Sequence, residues 1–375
     1  MKLRVGTNGN GYIIERNITS LPFREAQIVR TYDLINALGY LHRRLWRGLT
    51  ATSFLNCFHC DFGFNKVDLL HFVNDVSCST TPWVVSFEHY LPRWNVHSTF
   101  GATLLASRKC RKIIALSKFA FNHQCHYLEE HTAYKDEIQS KMCIMHPPQK
   151  PLITDYSNKP LDQHFITFTL VGHDFFRKGG MEILNAFDRL IAEDYPVKLN
   201  IVSSLEYGDY ASRTSVDDLN AARRLIQKLS SHVTHYLNLP NHEVLNLFIH
   251  SHVGLLPTYD DTYGYSILES QAAGCPVITT DVCPLPEINN SAIGWVINVP
   301  KDQFGIAHRH TKEQRAALSA LIQENLYDII KHICSNPEVI REKGIKALQK
   351  IKEQHDPQER ADALERIYED ALRRM

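Results

Sequence analysis

A chain of 375 residues is longer than one hydrophobic core usually serves, so two domains are expected. Lys plus Arg number 41, as do Asp plus Glu, and this zero net charge argues against nucleic acid as a partner, because a phosphate backbone selects for a basic excess. With 44% hydrophobic and 22% charged residues, and no run of the roughly 18 to 20 apolar residues that crosses a bilayer, the composition is that of an ordinary globular protein.

Met1 to Gly11 has no apolar run before its glycines, which argues against a signal peptide and for a cytoplasmic location. Short apolar strands then alternate with amphipathic helices, the pattern of parallel sheets joined by crossover helices. In the first half the expected strands are Leu3–Thr7, Asp68–Val73, Trp83–Phe87, Arg111–Leu116 and Lys141–His146. The expected helices there are Phe23–Leu38, Ala102–Cys110 and Lys118–Glu130. Leu41-His42-Arg43-Arg44-Leu45-Trp46-Arg47 is basic and aromatic, and reads as a solvated face or as a peripheral contact with an anionic membrane. Cys57-Phe58-His59-Cys60 has the spacing of half a zinc site, but no second such pair follows. Nine scattered cysteines, an odd number, read as reduced thiols.

A polar, proline-rich stretch from His146 to Gln163 can continue neither a helix nor a central strand and is read as a linker. The strand–helix rhythm then restarts. The expected strands are Phe165–Val171, Val197–Ser203, Val233–Asn238, His252–Pro257, Pro276–Thr279 and Gly294–Val299. The expected helices are Met181–Ala192, Val216–Ser230, His242–His250 and Ser266–Ala273. From Thr311 the chain reads as helical, with Asp356-Pro357 as N-cap and first-turn proline of a last helix, Gln358–Arg374.

The stretch Leu255–Ile278 carries the most chemistry. An apolar strand runs into a loop with two acids, Asp260 and Asp261. Gly264 allows close backbone approach, and a helix starts there whose free N–H groups and dipole suit an anion. Glu269 stands about one turn in, and Gly274 ends the helix. A strand, an anion-binding turn and a helix place a ligand at the carboxyl edge of a parallel sheet. Taken singly, Glu269 and Asp261 also read as a solvated helix acid and a helix-capping acid.

This stretch resembles the signature of the retaining glycosyltransferases of the GT-B fold, the group 1 or family 4 type, with two acids around a Phe-Gly turn before Glu-Ala-Met-Ala-x-Gly-x-Pro-Val-Ile. Glu269 and Gly264 match; Asp261 stands where the family usually has Glu, and Tyr263 where it has Phe. Gly172-His173-Asp174-Phe175-Phe176-Arg177-Lys178-Gly179 resembles the family's Gly-Arg-x-x-x-x-Lys-Gly loop, with His173 in the Arg position. Thr234–Val244, which includes Leu239, looks like the strand and loop that meet the base, and Leu285-Pro286-Glu287-Ile288 like the family's Pro-Glu-Ile.

The resemblance implies an α/β fold of two Rossmann-like domains facing a central cleft. Residues 1–160 would form an acceptor-side domain and 161–355 a donor-binding domain, and 356–375 a helix crossing back to the first. It implies transfer from a nucleoside diphosphate sugar, expected to be a UDP- or GDP-sugar, to a glycan, lipid-linked or protein acceptor, with retention. Arg177, Lys178, Gly264, Tyr265, Ser266 and Gly11 would hold the diphosphate. Glu269, Leu239 and His173 would meet the nucleoside, and His89, Asp261 and Glu269 would be catalytic. His89 also reads as an ordinary hydrogen-bonding residue, Lys178 as a surface ion pair, and Gly9-Asn10-Gly11 as a simple turn. No Asp-x-Asp occurs and the twenty histidines build no metal spacing, so no metal or other cofactor is expected. Rival readings are a sugar-nucleotide epimerase or phosphorylase of the same fold, a non-catalytic sugar-nucleotide-binding subunit, and, more weakly, a nicotinamide dehydrogenase.

Overall fold

The computed structural model describes residues 2–8, 11–33, 58–93, 99–131, 133–162 and 164–373. Gly9 and Asn10, the later part of the helix expected over 23–38, Leu41–Arg47, Cys57 and Gln163 lie outside the described residues. The chain forms two compact units, residues 1–148 with 355–375, and residues 149–354.

The first unit holds β1 (Leu3–Thr7), β2 (Ala26–Arg30), β3 (Phe58–His59), β4 (Leu69–Val73), β5 (Val76–Ser77), β6 (Trp83–Phe87), β7 (Cys110–Ala115) and β8 (Met142–Ile144). Its main sheet runs β2-β1-β4-β6-β7-β8, every pair parallel, and β3 pairs with β5 beside it. Parallel strands are covered on both faces, which is why β4 and β6 are apolar almost throughout and wholly buried. One expectation fails here. The segment read as a helix from Phe23 contains strand β2, paired in register with β1 from Leu3↔Ala26 to Thr7↔Arg30. Only Ala26 is fully buried in it, so an edge strand with few apolar anchors carries a weak period-two signal, and pairing with β1 overrides it.

The last helix, Pro357–Arg373, belongs to this unit. Asp356 caps it, its carboxylate accepting from the N–H groups of Gln358 and Glu359 at 2.8 and 2.9 Å. Ala361, Leu364, Tyr368 and Ala371 are buried against Val5, Leu69, Val84 and Ile114. Each large side chain buried in this way contributes about 1.5–3 kcal/mol. Glu365 accepts from the N–H groups of Glu25 and Ala26 at 2.7 and 2.9 Å, so the helix also holds the start of β2. Behind it, His71 joins the Tyr368 hydroxyl at 2.7 Å to the Ser86 hydroxyl at 2.9 Å. Burial, then the charge of Arg360, pushes His71 down to about 3, so this bridge is uncharged at neutral pH.

The second unit holds β9 (Ile166–Val171), β10 (Val197–Val202), β11 (Val233–Tyr236), β12 (Val253–Leu256), β13 (Val277–Thr280) and β14 (Trp295–Ile297). They order as β11-β10-β9-β12-β13-β14, again all parallel. The chain leaves β9 towards one edge and returns beside it as β12, so the strand order reverses between β9 and β12. Loops at such a reversal diverge and leave a crevice at the carboxyl ends of the strands.

Residues 149–160, assigned to the first domain from the sequence, lie in the second unit. Lys159 is buried, its ammonium donating to the carbonyls of Phe248, Ile249 and Ala273 at 2.9, 3.1 and 2.8 Å. The N–H of Leu152 donates to Ala272 O at 2.9 Å. The proline-rich composition excludes regular elements without preventing this docking.

Candidate active site

Two loops meet at the strand reversal of the second unit. The first, residues 172–179, joins β9 to the helix Gly180–Ala192; the second, residues 257–264, joins β12 to the helix Tyr265–Ala272. They are tied together closely. Tyr259 N–H donates to the Arg177 carbonyl at 2.8 Å, and Arg177 Nη1 donates to the Asp260 carbonyl at 2.7 Å. A Cβ on Gly179 would lie 2.3 Å from Pro257 O, so only glycine lets the loops approach this far.

Lys178 Nζ donates to Asp261 Oδ2 at 2.9 Å. The side chains are only 15% and 9% exposed, so this is not a surface ion pair. The other Asp261 oxygen accepts from Tyr263 N–H at 3.2 Å and Gly264 N–H at 2.9 Å. Burial would raise the Asp261 carboxyl, but the Lys178 and then the Arg177 cation hold it below the usual carboxylate range. Burial also works against the Arg177 charge, yet Asp261 and Asp174 push that guanidinium above the usual arginine range. Asp174 accepts from Arg177 Nε at 3.1 Å and from Nη2. Gly172 leaves room for the lysine stem: a Cβ there would overlap Lys178 Cδ at 2.1 Å.

The helix Tyr265–Ala272 starts at Gly264, whose φ of +90° is a left-handed conformation that favours glycine. Gly264's N–H, counted from the sequence among the anion donors, is engaged by Asp261, because the carboxylate closes the loop as a tight turn. The helix's own dipole remains. At its first turn the Ser266 hydroxyl is buried and has no hydrogen-bond partner. Buried hydroxyls nearly always have one, which makes this group a candidate donor to a ligand at the helix start. Glu269 is 4% exposed on the same helix.

The structure thus brings Arg177, Lys178, Asp261, Gly264, Tyr265, Ser266 and Glu269 onto two adjoining loops and the helix that one of them starts. His173 is exposed, and its carbonyl accepts from Ser203 Oγ at 3.0 Å. Leu239 packs against a separate apolar cluster that includes Val244, Phe248 and Cys275. His89 and Gly11 belong to the first unit. His89 sits in an aromatic group, its ring tilted against its neighbours, 4.2 Å from the His123 ring and 5.0 Å from Tyr90. Gly11 has an ordinary φ of −73° and open space around it, so its backbone does not require glycine.

Sequence reasoning missed a supporting layer. Asp260 accepts from Tyr210 OH at 2.6 Å and from Arg309 Nη2 at 2.7 Å. Tyr259 OH and Ser319 Oγ donate to the buried Glu182 at 2.7 and 2.6 Å. The doublet Asp260-Asp261 was visible as two acids, but nothing local shows that the two carboxylates face different cations. Arg309 stands on a loop after β14, beyond any motif. In the first unit the loops after β1 and β4 also meet at a strand reversal, where Asn8 Nδ2 donates to Asp75 Oδ2 at 2.7 Å. Burial, then the nearby Asp33, pushes Asp75 up to about 7 against the pull of the Asn8 bond.

Among the described residues no group of three or more His, Cys, Asp or Glu could hold a metal ion. Among them, too, no helix is long and apolar enough to cross a membrane.

Residues 154–312 match the family described as glycosyl transferases group 1. A curated relative, the capsular polysaccharide biosynthesis glycosyltransferase CapM of Staphylococcus aureus, is 27% identical over 148 residues. That match spans 37% of this chain and 34% of CapM, about a third of the relative's length. Among solved structures, a glycosyltransferase from Rickettsia africae is similar with a TM-score of 0.61 at 13% identity, over 99% of each chain. The sucrose-phosphate synthase of Thermosynechococcus elongatus has a TM-score of 0.61 at 13% identity, over 99% of this chain and 100% of that one. Anabaena HepE, crystallised in complex with UDP, has a TM-score of 0.58 at 11% identity, over 98% and 99%. At such identities the likeness shows the fold alone: the two parallel α/β halves are those of the GT-B type. The tied loops of the strand reversal lie inside the residues of the second unit that are similar to the glycosyl transferases group 1.

Proposed function

We propose that the protein is a glycosyltransferase that moves a sugar from a nucleoside diphosphate sugar to an acceptor hydroxyl, with retention at the anomeric carbon. One observation carries this reading. At the strand reversal of the second unit, two half-buried cations and a helix start with a buried, partnerless Ser266 hydroxyl converge, which is the composition of a diphosphate site. Lys178 and Arg177 hold the diphosphate and stabilise the negative charge that grows on it as the glycosidic bond breaks. Ser266 donates to a phosphate oxygen. Glu269 receives ribose hydroxyls, and Asp261 both shapes the turn and meets the donor sugar. The acceptor proton passes to the departing phosphate.

The donor is a UDP- or GDP-sugar, a reading favoured by the UDP bound to HepE. The acceptor is a glycan or a glycan carrier, in keeping with the capsular polysaccharide role named for CapM. Two protein cations do the work that a metal does in other transferases, so chelator should leave turnover unchanged.

The test is a thermal-shift screen over UDP-, GDP-, ADP- and dTDP-sugars, repeated with Lys178→Ala. A UDP- or GDP-sugar should raise the melting temperature of the native protein and not of the variant. No shift with any donor, or an equal shift in the variant, would remove the assignment. Nucleotide release that needs added acceptor separates a transferase from an epimerase, which yields a new sugar nucleotide without one.

A further inference from the structure

The first unit carries a thiol pair that the sequence did not reveal. In the Cys57-Phe58-His59-Cys60 motif, Cys60 finds its partner outside the motif. Strands β3 and β5 run parallel with Phe58 opposite Val76 and His59 opposite Ser77, so the next position sets Cys60 beside Cys78. The Cys78 N–H donates to the His59 carbonyl at 3.2 Å, which carries the ladder up to that position. Neighbouring strands lie about 4.8 Å apart, inside the roughly 4.4–6.8 Å Cα separation of disulfides. Residues opposite each other in a ladder point to the same face, so the two thiols lie on one side of the ribbon as neighbours. Both are free, Cys60 buried and Cys78 exposed.

We propose that Cys60 and Cys78 form a reversible dithiol–disulfide site, with an external disulfide of the glutathione type as oxidant. The exposed Cys78 thiolate attacks one sulfur of the oxidant, forming a mixed disulfide and expelling a first thiolate. Cys60 then attacks Cys78 sulfur, the Cys60–Cys78 bond forms and the second thiolate leaves. The two cysteine protons end on the two expelled thiols. Burial, then the neighbouring Cys60, pushes the Cys78 thiol up to about 12, so the first attack is slow at neutral pH.

The link would act on the loop beside it. Asp61, next to Cys60, accepts from Gly63 N–H at 3.1 Å and Asn65 Nδ2 at 2.9 Å. Asn65 in turn brackets the Tyr32 backbone, accepting from its N–H at 2.9 Å and donating to its carbonyl at 2.8 Å. Tyr32 follows β2 at the carboxyl edge of the first sheet, so closing the disulfide would stiffen a loop at that edge.

The full chain is incubated with glutathione disulfide and mapped by peptide mass spectrometry without reduction, then again after dithiothreitol. The expected product is one cross-linked peptide pair joining Cys60 to Cys78, lost on reduction. Cys78→Ser should abolish it and Cys334→Ser should leave it unchanged, with circular dichroism melts showing both variants folded. A lasting glutathione adduct on Cys78, a cross-link between other cysteines, or no cross-link under conditions that oxidise a denatured control would overturn the proposal.

Discussion

Lys178 and Asp261 depend on each other because both are taken out of water. Lys178→Ala leaves the Asp261 carboxylate buried without its nearest cation and removes one of the two charges proposed to meet the diphosphate. Transfer is expected to fall about a hundredfold or more, measured as nucleotide release with acceptor present. A loss of stability accompanies it, since breaking a buried pair from one side is strongly unfavourable. Asp261's carboxyl is depressed in the folded state, so the pair stabilises above the ordinary Asp value of 3.8 and that stabilisation is lost as pH falls below it. Asp75 has the opposite sign. Its carboxyl is raised from 3.8 to about 7, so the fold is favoured while it is protonated, and stability is lost as pH rises from about 4 to about 7. Asp75→Asn should flatten that stretch of the stability curve, as read from urea midpoints between pH 4 and 8. An unchanged slope would show that Asp75 is ionised throughout.

At the scale of elements, the helix Tyr265–Ala272 begins where one glycine permits it. Gly264→Ala puts a Cβ into a left-handed residue and 2.8 Å from Leu285 Cδ2. It should cost about 1–2 kcal/mol from the backbone alone, visible as a lower urea midpoint, and should weaken donor binding by shifting Asp261. The last helix offers an independent check. Glu365→Ala strips the acceptor from two N–H groups at the start of β2, and one buried donor left unpaired costs about 1–3 kcal/mol. Hydrogen exchange at Glu25 and Ala26 should speed up while the second unit is unaffected. These elements differ in legibility. β6 reads off as Trp83–Phe87 because a fully buried strand is a run of apolar residues bounded by turn residues. β2 does not, because Gln27 and Arg30 face solvent and its remaining side chains are half-buried or small.

For the whole molecule, the first unit is discontinuous in sequence and closes only when the C-terminal helix returns to it. A chain ending at Gln354 loses Ala361, Leu364, Tyr368 and Ala371 from that core. At about 1.5–3 kcal/mol for each large side chain, the deficit is comparable with the roughly 5–15 kcal/mol that holds a domain together. Limited proteolysis of the truncated chain should therefore digest residues 1–148 and spare 149–354. Survival of both would mean that the helix contributes little to the first core.

From the sequence alone follow the α/β class, the parallel strand–helix rhythm, and the two segments, Gly172–Gly179 and Leu255–Ile278, that carry the family signature. These are legible because period, glycine position and apolar runs are local properties of the chain. Only the tertiary structure decides that Lys178 meets Asp261, that Arg309 and Tyr210 hold Asp260, that β2 is a strand, and that Cys60 lies beside Cys78. Each of those depends on which strands become neighbours, and burial then turns a surface charge or thiol into a group whose partner is obligatory.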